Sequence, residues 1–172
     1  ATTLGKFKTW TVADWSDADK GKKRIDQHFA SVFPTGITIG CAYQWKINTV
    51  DDLHKAQPFQ GTPAFSTTTK PNSAEFKNEL LGNLVALFLN LGFDKSMPEF
   101  GSSDFFLGDL IIAEGPFTGW TVSDMFAEAN QAWGQCTSNY SPKQLNEVIS
   151  AINTSFIGGK NASGFLICPS GK

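Results

Sequence analysis

Hydrophobic positions recur along the chain with two periods, and each run carries its own start and stop. Ile25, Phe29, Val32 and Phe33 are spaced as one face of a helix that Pro34-Thr35-Gly36 ends. Thr49-Val-Asp-Asp52 reads as a capping box, opening a short helix through about Ala56 that Pro58 closes. Asn72-Ser-Ala-Glu75, preceded by Pro71, predicts the start of the longest helix, 72–92. Its residues Phe76, Leu80, Leu84, Leu87, Phe88 and Leu91 spread over more than one face. A helix apolar nearly all round is buried on several sides, so this one is expected at the centre. Thr121-Val-Ser-Asp124 caps a further helix, with Val122, Met125, Phe126, Ala129 and Trp133 inward and Gly134 just past its end. Ser141-Pro142-Lys-Gln144 combines an N-cap, a proline at the first helical position and a capping-box Gln. Leu145, Val148, Ile149, Ile152 and Phe156 line one face of the helix it opens, and Gly158-Gly159 stops it.

Period-two alternation marks the strands. Lys6 to Val12 alternates polar and apolar, as do Ile37-Thr-Ile39 and Tyr43 to Ile47. Leu110 to Ala113 and Gly164 to Ile167 are short apolar runs. Thr62 to Ser73 is a Thr/Pro/Ser-rich loop too short to link two domains, and no internal repeat is visible. The pattern predicts an α+β fold, one domain over 1–172, with four to five helices around 72–92 and short strands or hairpins. Residues 1–5 are a candidate extended arm.

Composition narrows the function classes. The chain has 172 residues, 15 of them Phe and 5 Trp, but only 17% are charged, below the roughly 25% usual in soluble domains. A weakly charged, aromatic-rich surface repels its neighbours poorly, which suits a protein that associates. A net charge of −2 gives no electrostatic footprint for nucleic acid or an anionic membrane. The basic run Lys20-Gly-Lys22-Lys23-Arg24 follows Asp14, Asp17 and Asp19, which largely cancel its field. No apolar run reaches the length of a membrane span, since Leu80 to Leu91 is interrupted by Gly82, Asn83 and Asn90. The opening Ala1-Thr2-Thr3 resembles a mature N-terminus left by a signal peptidase.

Candidate chemistry is sparse. Cys41, Cys136 and Cys168 lie far apart without interleaved histidines, which is not zinc spacing; any two can pair in an oxidising compartment, or one can bridge to another chain. His28 and His54 sit in helical runs without a nucleophile elbow. Asp14-x-x-Asp17-x-Asp19 is a weak calcium candidate that departs from EF-hand spacing and is opposed by adjacent lysines. Trp10, Trp15, Tyr43 and Trp45 are candidates for a glycan platform, although strand alternation also points such residues into a core. Asn139, Asn153 and Asn161 each open an Asn-x-Ser/Thr sequon, with Asn153 inside a predicted helix. No cofactor is expected.

Several strings, taken in order, carry a resemblance: His28-Phe-Ala-x-x-Phe-Pro-x-Gly-x-Thr-Ile-Gly-Cys41, Gly61-Thr-Pro-Ala64, and Leu84-Val-Ala-Leu-Phe-Leu-Asn-Leu-Gly-Phe93. Leu107-Gly-Asp-Leu-Ile-Ile112, Gly115-Pro-Phe-Thr-Gly-Trp-Thr-Val122, Leu145-Asn with Ile152-Asn153-x-x-Phe156, and Gly164-Phe-Leu continue the series. From about Phe7 to Pro169 the chain resembles a poorly characterised module of large secreted and cell-surface proteins of Bacteroidota and related bacteria. His28 stands where the module is expected to carry Asn. The resemblance implies export and a surface or matrix role, and supplies no catalytic residues. The expectation is therefore a non-enzymatic secreted structural protein that assembles with copies of itself into a filament, sheath or surface matrix. Thr2, Thr3, Leu4, Phe7 and Trp10 are its candidate subunit contacts, and an adhesion or glycan-binding module is the alternative.

Overall fold

The computed structural model describes residues 6–68, 75–160 and 163–169. Its α-helices are α1 (Val12–Ser16), α2 (Gly21–Val32), α3 (Val50–Ala56), α4 (Glu79–Ser96), α5 (Val122–Trp133) and α6 (Pro142–Asn153). Its strands are β1 (Lys6–Phe7), β2 (Ile37–Gly40), β3 (Gln44–Ile47), β4 (Gly101–Ser102), β5 (Ile111–Ile112) and β6 (Leu166–Ile167). They form three separate antiparallel pairs, β1 with β4, β2 with β3 and β5 with β6. The fold is α+β, as the periodicity predicts, with 46% helix and 10% strand.

Helix α4 is the axis. Leu80, Leu81, Leu84, Val85, Ala86, Leu87, Leu89 and Phe93 are all buried, so nearly every face of the helix meets protein. It packs chiefly against α6 and α5, with α1 and α2 on other sides. Gly92 permits the approach of α2, because a Cβ there would lie 2.4 Å from the Phe33 ring. The predicted bounds 72–92 need correcting. The helix begins at Glu79, where the Asn78 side chain accepts from Leu81 N–H, and it continues to Ser96. Asn78 also donates to the Ala64 carbonyl and accepts from its N–H, so the true cap is tied to the preceding loop. Glu75 and Phe76 form a turn, and residues 72–74 lie outside the described residues.

The other local signals fare differently. Ser141 and Gln144 close a complete reciprocal capping box at α6. Thr49 and Thr121 each accept from the N–H three residues on. The alternating run Lys6–Val12 is a strand only at Lys6–Phe7. A capping box between Thr11 and Asp14 starts α1 there, which raises the described α-helices to six, above the four to five expected. The two turns at Leu107–Asp109 and Ile157–Gly159 are 3-10 helices.

The segment after β1 is fastened within its own fold. Lys8 N–H donates to the Phe100 carbonyl, Thr9 N–H to that of Phe156, and Phe156 N–H to the Thr9 hydroxyl. Phe7 is buried against Phe156, so it is a core residue and the expectation of a subunit contact at Phe7 is corrected. Thr2, Thr3 and Leu4, with the candidate arm 1–5, lie outside the described residues.

Candidate functional site

The most organised polar feature is a ladder of asparagines between α4 and α6. Asn83 and Asn90 stand seven residues apart on α4, and Asn146 and Asn153 seven apart on α6, which places each pair on one helical face two turns apart. Asn83 Nδ2 donates to Asn146 Oδ1 at 2.8 Å, and Asn90 Nδ2 donates to Asn153 Oδ1 at 3.0 Å. The constant offset of 63 residues means that the two helices run in the same direction. Asn153 Nδ2 reaches back to the Asn83 carbonyl at 3.0 Å and to its Oδ1 at 3.3 Å. Asn146 Nδ2 donates to Glu79 Oε1, also at 3.0 Å. At the other end Asn90 Oδ1 accepts from Trp10 N–H and Trp15 Nε1–H, while Asn90 Nδ2 donates to the Trp10 carbonyl. Amides suit this role because each carries donors and acceptors, and buried polar groups are tolerated when all are paired. The sequon at Asn153 is therefore structural: the amide nitrogen that would carry a glycan is buried and committed.

A second constraint joins the hairpin to α5. Cys41 and Cys136 form a disulfide with Cα atoms 5.9 Å apart, closing 95 residues of chain, and Cys168 takes no part in it. The surrounding backbone is tightly knit. Tyr43 N–H donates to the Gly134 carbonyl, and the Asn130 amide bonds both the N–H and the carbonyl of Gly40. Gly134 is required by contact, since a Cβ would lie 2.0 Å from Cys41 N.

The remaining candidates are dispersed. Trp15 is 1% exposed and Trp45 7%, so both belong to the core and the expectation of a glycan platform on them is corrected. Trp15 packs on Trp10, Phe93 and Phe100, and Trp45 on Phe59 and Phe76. Tyr43 and Trp10 are partly exposed, with Lys20 and Arg24 over the Trp10 ring. The acids Asp14, Asp17 and Asp19 do not converge. Asp14 closes the α1 capping box and pairs with Lys20, while Asp17 accepts from Asp19 N–H. Burial raises the Asp14 pKa, but the Thr11 N–H and Lys20 outweigh it and hold the group below its ordinary value. Among the described residues no three His, Cys, Asp or Glu side chains are grouped to hold a metal ion. None of the described helices is long and apolar enough to cross a membrane.

His54 has partners that spacing did not suggest. Its Nε2 meets Asp26 at 2.7 Å and its Nδ1 meets Gln57 Oε1 at 2.9 Å, while Gln57 Nε2 donates to the Trp15 carbonyl. Nε2 thus ties α3 to α2, and Nδ1 meets the α3 cap residue Gln57, which reaches α1.

Among the described residues Asp94 is the one strongly perturbed carboxyl. It is buried at the end of α4, accepts from Leu107 N–H at 2.7 Å and faces Gly101, where a Cβ would lie 2.0 Å from its oxygen. Burial pushes its pKa up to about 6 and nearby Asp109 adds to the rise, against the Leu107 N–H and Lys95. Because the folded value lies above the unfolded 3.8, its contribution to stability is full below that value and is lost as pH rises through about 6. Wild-type protein is expected to lose on the order of 1 kcal/mol between pH 5 and 7 relative to Asp94→Asn. Urea midpoints at the two pH values measure this, and parallel pH profiles for the two proteins would refute it.

Apolar surface is concentrated at a few points. Phe106 and Ile157 are each 50% exposed and Ile167 44%. A shallow groove of about 190 Å³ between α4 and α5 is lined by Phe88, Leu91, Gly92, Lys95 and Phe126. Lys95 also lies over the Phe106 ring, 5.7 Å from its centroid, which places Phe106 beside the groove. Sequence reasoning placed Phe88 and Leu91 on the central helix, and gave no sign that this edge of it stays open.

No protein-family model, no curated protein and no solved structure matches this chain.

Proposed function

We propose that the chain is an exported, non-catalytic structural subunit that associates with copies of itself in an extracellular filament, sheath or surface matrix. The observation that carries this reading is the α4–α5 groove with Phe106 beside it, a largely aromatic surface in which Lys95 is the one charged residue of the groove lining. Apolar area of this kind favours association when it is removed from water, and a net charge of −2 gives little repulsion between copies. The disulfide suits an oxidising compartment. The resemblance to modules of bacterial secreted and cell-surface proteins points the same way. The asparagine ladder also fits, because its polar groups hold helices together.

Sedimentation velocity over a range of concentrations, with electron microscopy of the oxidised protein, tests the reading. Ordered oligomers or polymers are expected, and Phe106→Asp should shift them strongly toward monomer while leaving the thermal midpoint nearly unchanged, since that ring is half in water. A wild-type protein that stays monomeric throughout would overturn the proposal.

A further inference from the structure

A cleft on the opposite functional logic lies where α1, the loop 57–61, α4 and α6 meet. Its volume is about 350 Å³. That volume falls at the lower end of the ~300–1,000 Å³ of small-molecule sites. We infer that this cleft binds a neutral saccharide, with Glu79 as its principal hydrogen-bond acceptor.

The side chains that line it are of two kinds. Glu79, Gln60, Thr11 and Ser150 offer a carboxylate, an amide and two hydroxyls. Val12, Ala13 and Pro58 supply apolar surface between them. A pyranose presents the matching alternation of hydroxyls, which donate and accept, and C–H faces, which pack on apolar walls. A small organic cation would match Glu79 but leave the amide and hydroxyls without a purpose.

Two of the polar groups are held by hydrogen bonds within the fold. Glu79 Oε1 accepts from Asn146 Nδ2, which fixes the carboxylate and leaves its second oxygen for a ligand. Thr11 Oγ1 accepts from Asp14 N–H and retains its own proton to donate. The Gln60 amide and Ser150 hydroxyl have no hydrogen-bond partner among the described residues. Asn83 donates to Asn146 and accepts from Asn153, so the cleft floor is an end of the asparagine ladder. The wall is equally fixed. Phe59 takes φ of 60°, a left-handed conformation that costs a bulky residue roughly 1–2 kcal/mol. Its ring is buried beside Trp45 and Phe76, and Gly82 gives it room, since a Cβ there would lie 2.7 Å from the Phe59 Cβ. A site in which some groups are already oriented loses less on binding than one that must order all of them.

The inference is independent of self-association, because the cleft and the α4–α5 groove share no lining residue. Amide shifts in ¹⁵N-labelled protein test it, using galactose, mannose, glucose, N-acetylglucosamine and cellobiose, with n-butylammonium as the cationic comparison. At least one saccharide is expected to move the amides of Val12, Ala13, Gln60, Gly61 and Ser150. Glu79→Gln keeps an acceptor for Asn146 and should weaken binding roughly tenfold or more, the usual loss when a charged hydrogen-bond partner becomes neutral. Ala13→Phe changes an exposed residue, removes no hydrogen bond and should abolish the shifts by filling the cleft. The inference fails if none of these sugars moves those amides. It fails equally if n-butylammonium alone does so, or if the folded Ala13→Phe protein binds sugar as the wild type does.

Discussion

Asn90→Leu is expected to destabilise the protein by about 3–4 kcal/mol, although leucine is the better helix former and the site is fully buried. Four hydrogen bonds disappear: those from Trp10 N–H and Trp15 Nε1–H to Oδ1, and those from Nδ2 to the Trp10 carbonyl and Asn153 Oδ1. Each buried group left unpaired costs roughly 1–3 kcal/mol, and the losses do not add in full because the Trp10 backbone can reach water. The apolar gain of leucine offsets a part. Urea denaturation of the two proteins measures the difference. A loss below about 1 kcal/mol would mean that the ladder carries little energy. A double-mutant cycle with Asn153→Ala isolates the coupling across the α4–α6 contact, which should be positive and larger than for a distant pair.

Removing the Cys41–Cys136 bond should have an effect of similar size. Closing 95 residues in the unfolded chain predicts a stabilisation of up to roughly 4.7 kcal/mol, with about 2–4 kcal/mol typical of measured bridges. The Cys41→Ser/Cys136→Ser protein is therefore expected to unfold at a lower denaturant concentration by about 3 kcal/mol. Reductant should do the same to the wild type and nothing to the double variant. Cys168→Ser should leave the response to reductant intact. Equal midpoints with and without reductant would show that the hairpin and α5 hold together through Asn130 and Gly134 alone.

Signals that act over three or four residues were legible in the sequence, and signals that depend on a distant partner were not. Ser141 and Gln144 announce α6 because a capping box is complete within four residues. The same chemistry at Thr11 and Asp14 was hidden by the alternation of Lys6 to Val12, and the box prevailed because the Trp10 backbone is bonded by the Asn90 amide instead of a strand. Pro71 and Asn72 imitate a helix start, yet Asn78 is the residue whose side chain reaches an early N–H. Asn83 and Asn90 counted only as interruptions in an apolar run. Their seven-residue spacing, repeated by Asn146 and Asn153, was the available sign of a polar seam between two helices. The cysteines could not choose a pairing without coordinates, since Cys41 and Cys136 meet where β2 packs on α5. The cleft was invisible for the same reason, as its lining comes from four separate stretches of chain.

The position of the covalent link has a mechanical consequence for the chain under tension. Tension applied through the two ends bypasses everything between Cys41 and Cys136, so roughly 330 Å of extensible chain stays out of reach of the load. The contacts that the loaded segments make with the bypassed chain include the short β1 and β6 pairings and the seam where α6 lies along α4. Helix α4 lies inside the clasped segment but packs chiefly on α6 outside it, so their seam is the joint between the bypassed chain and the loaded one.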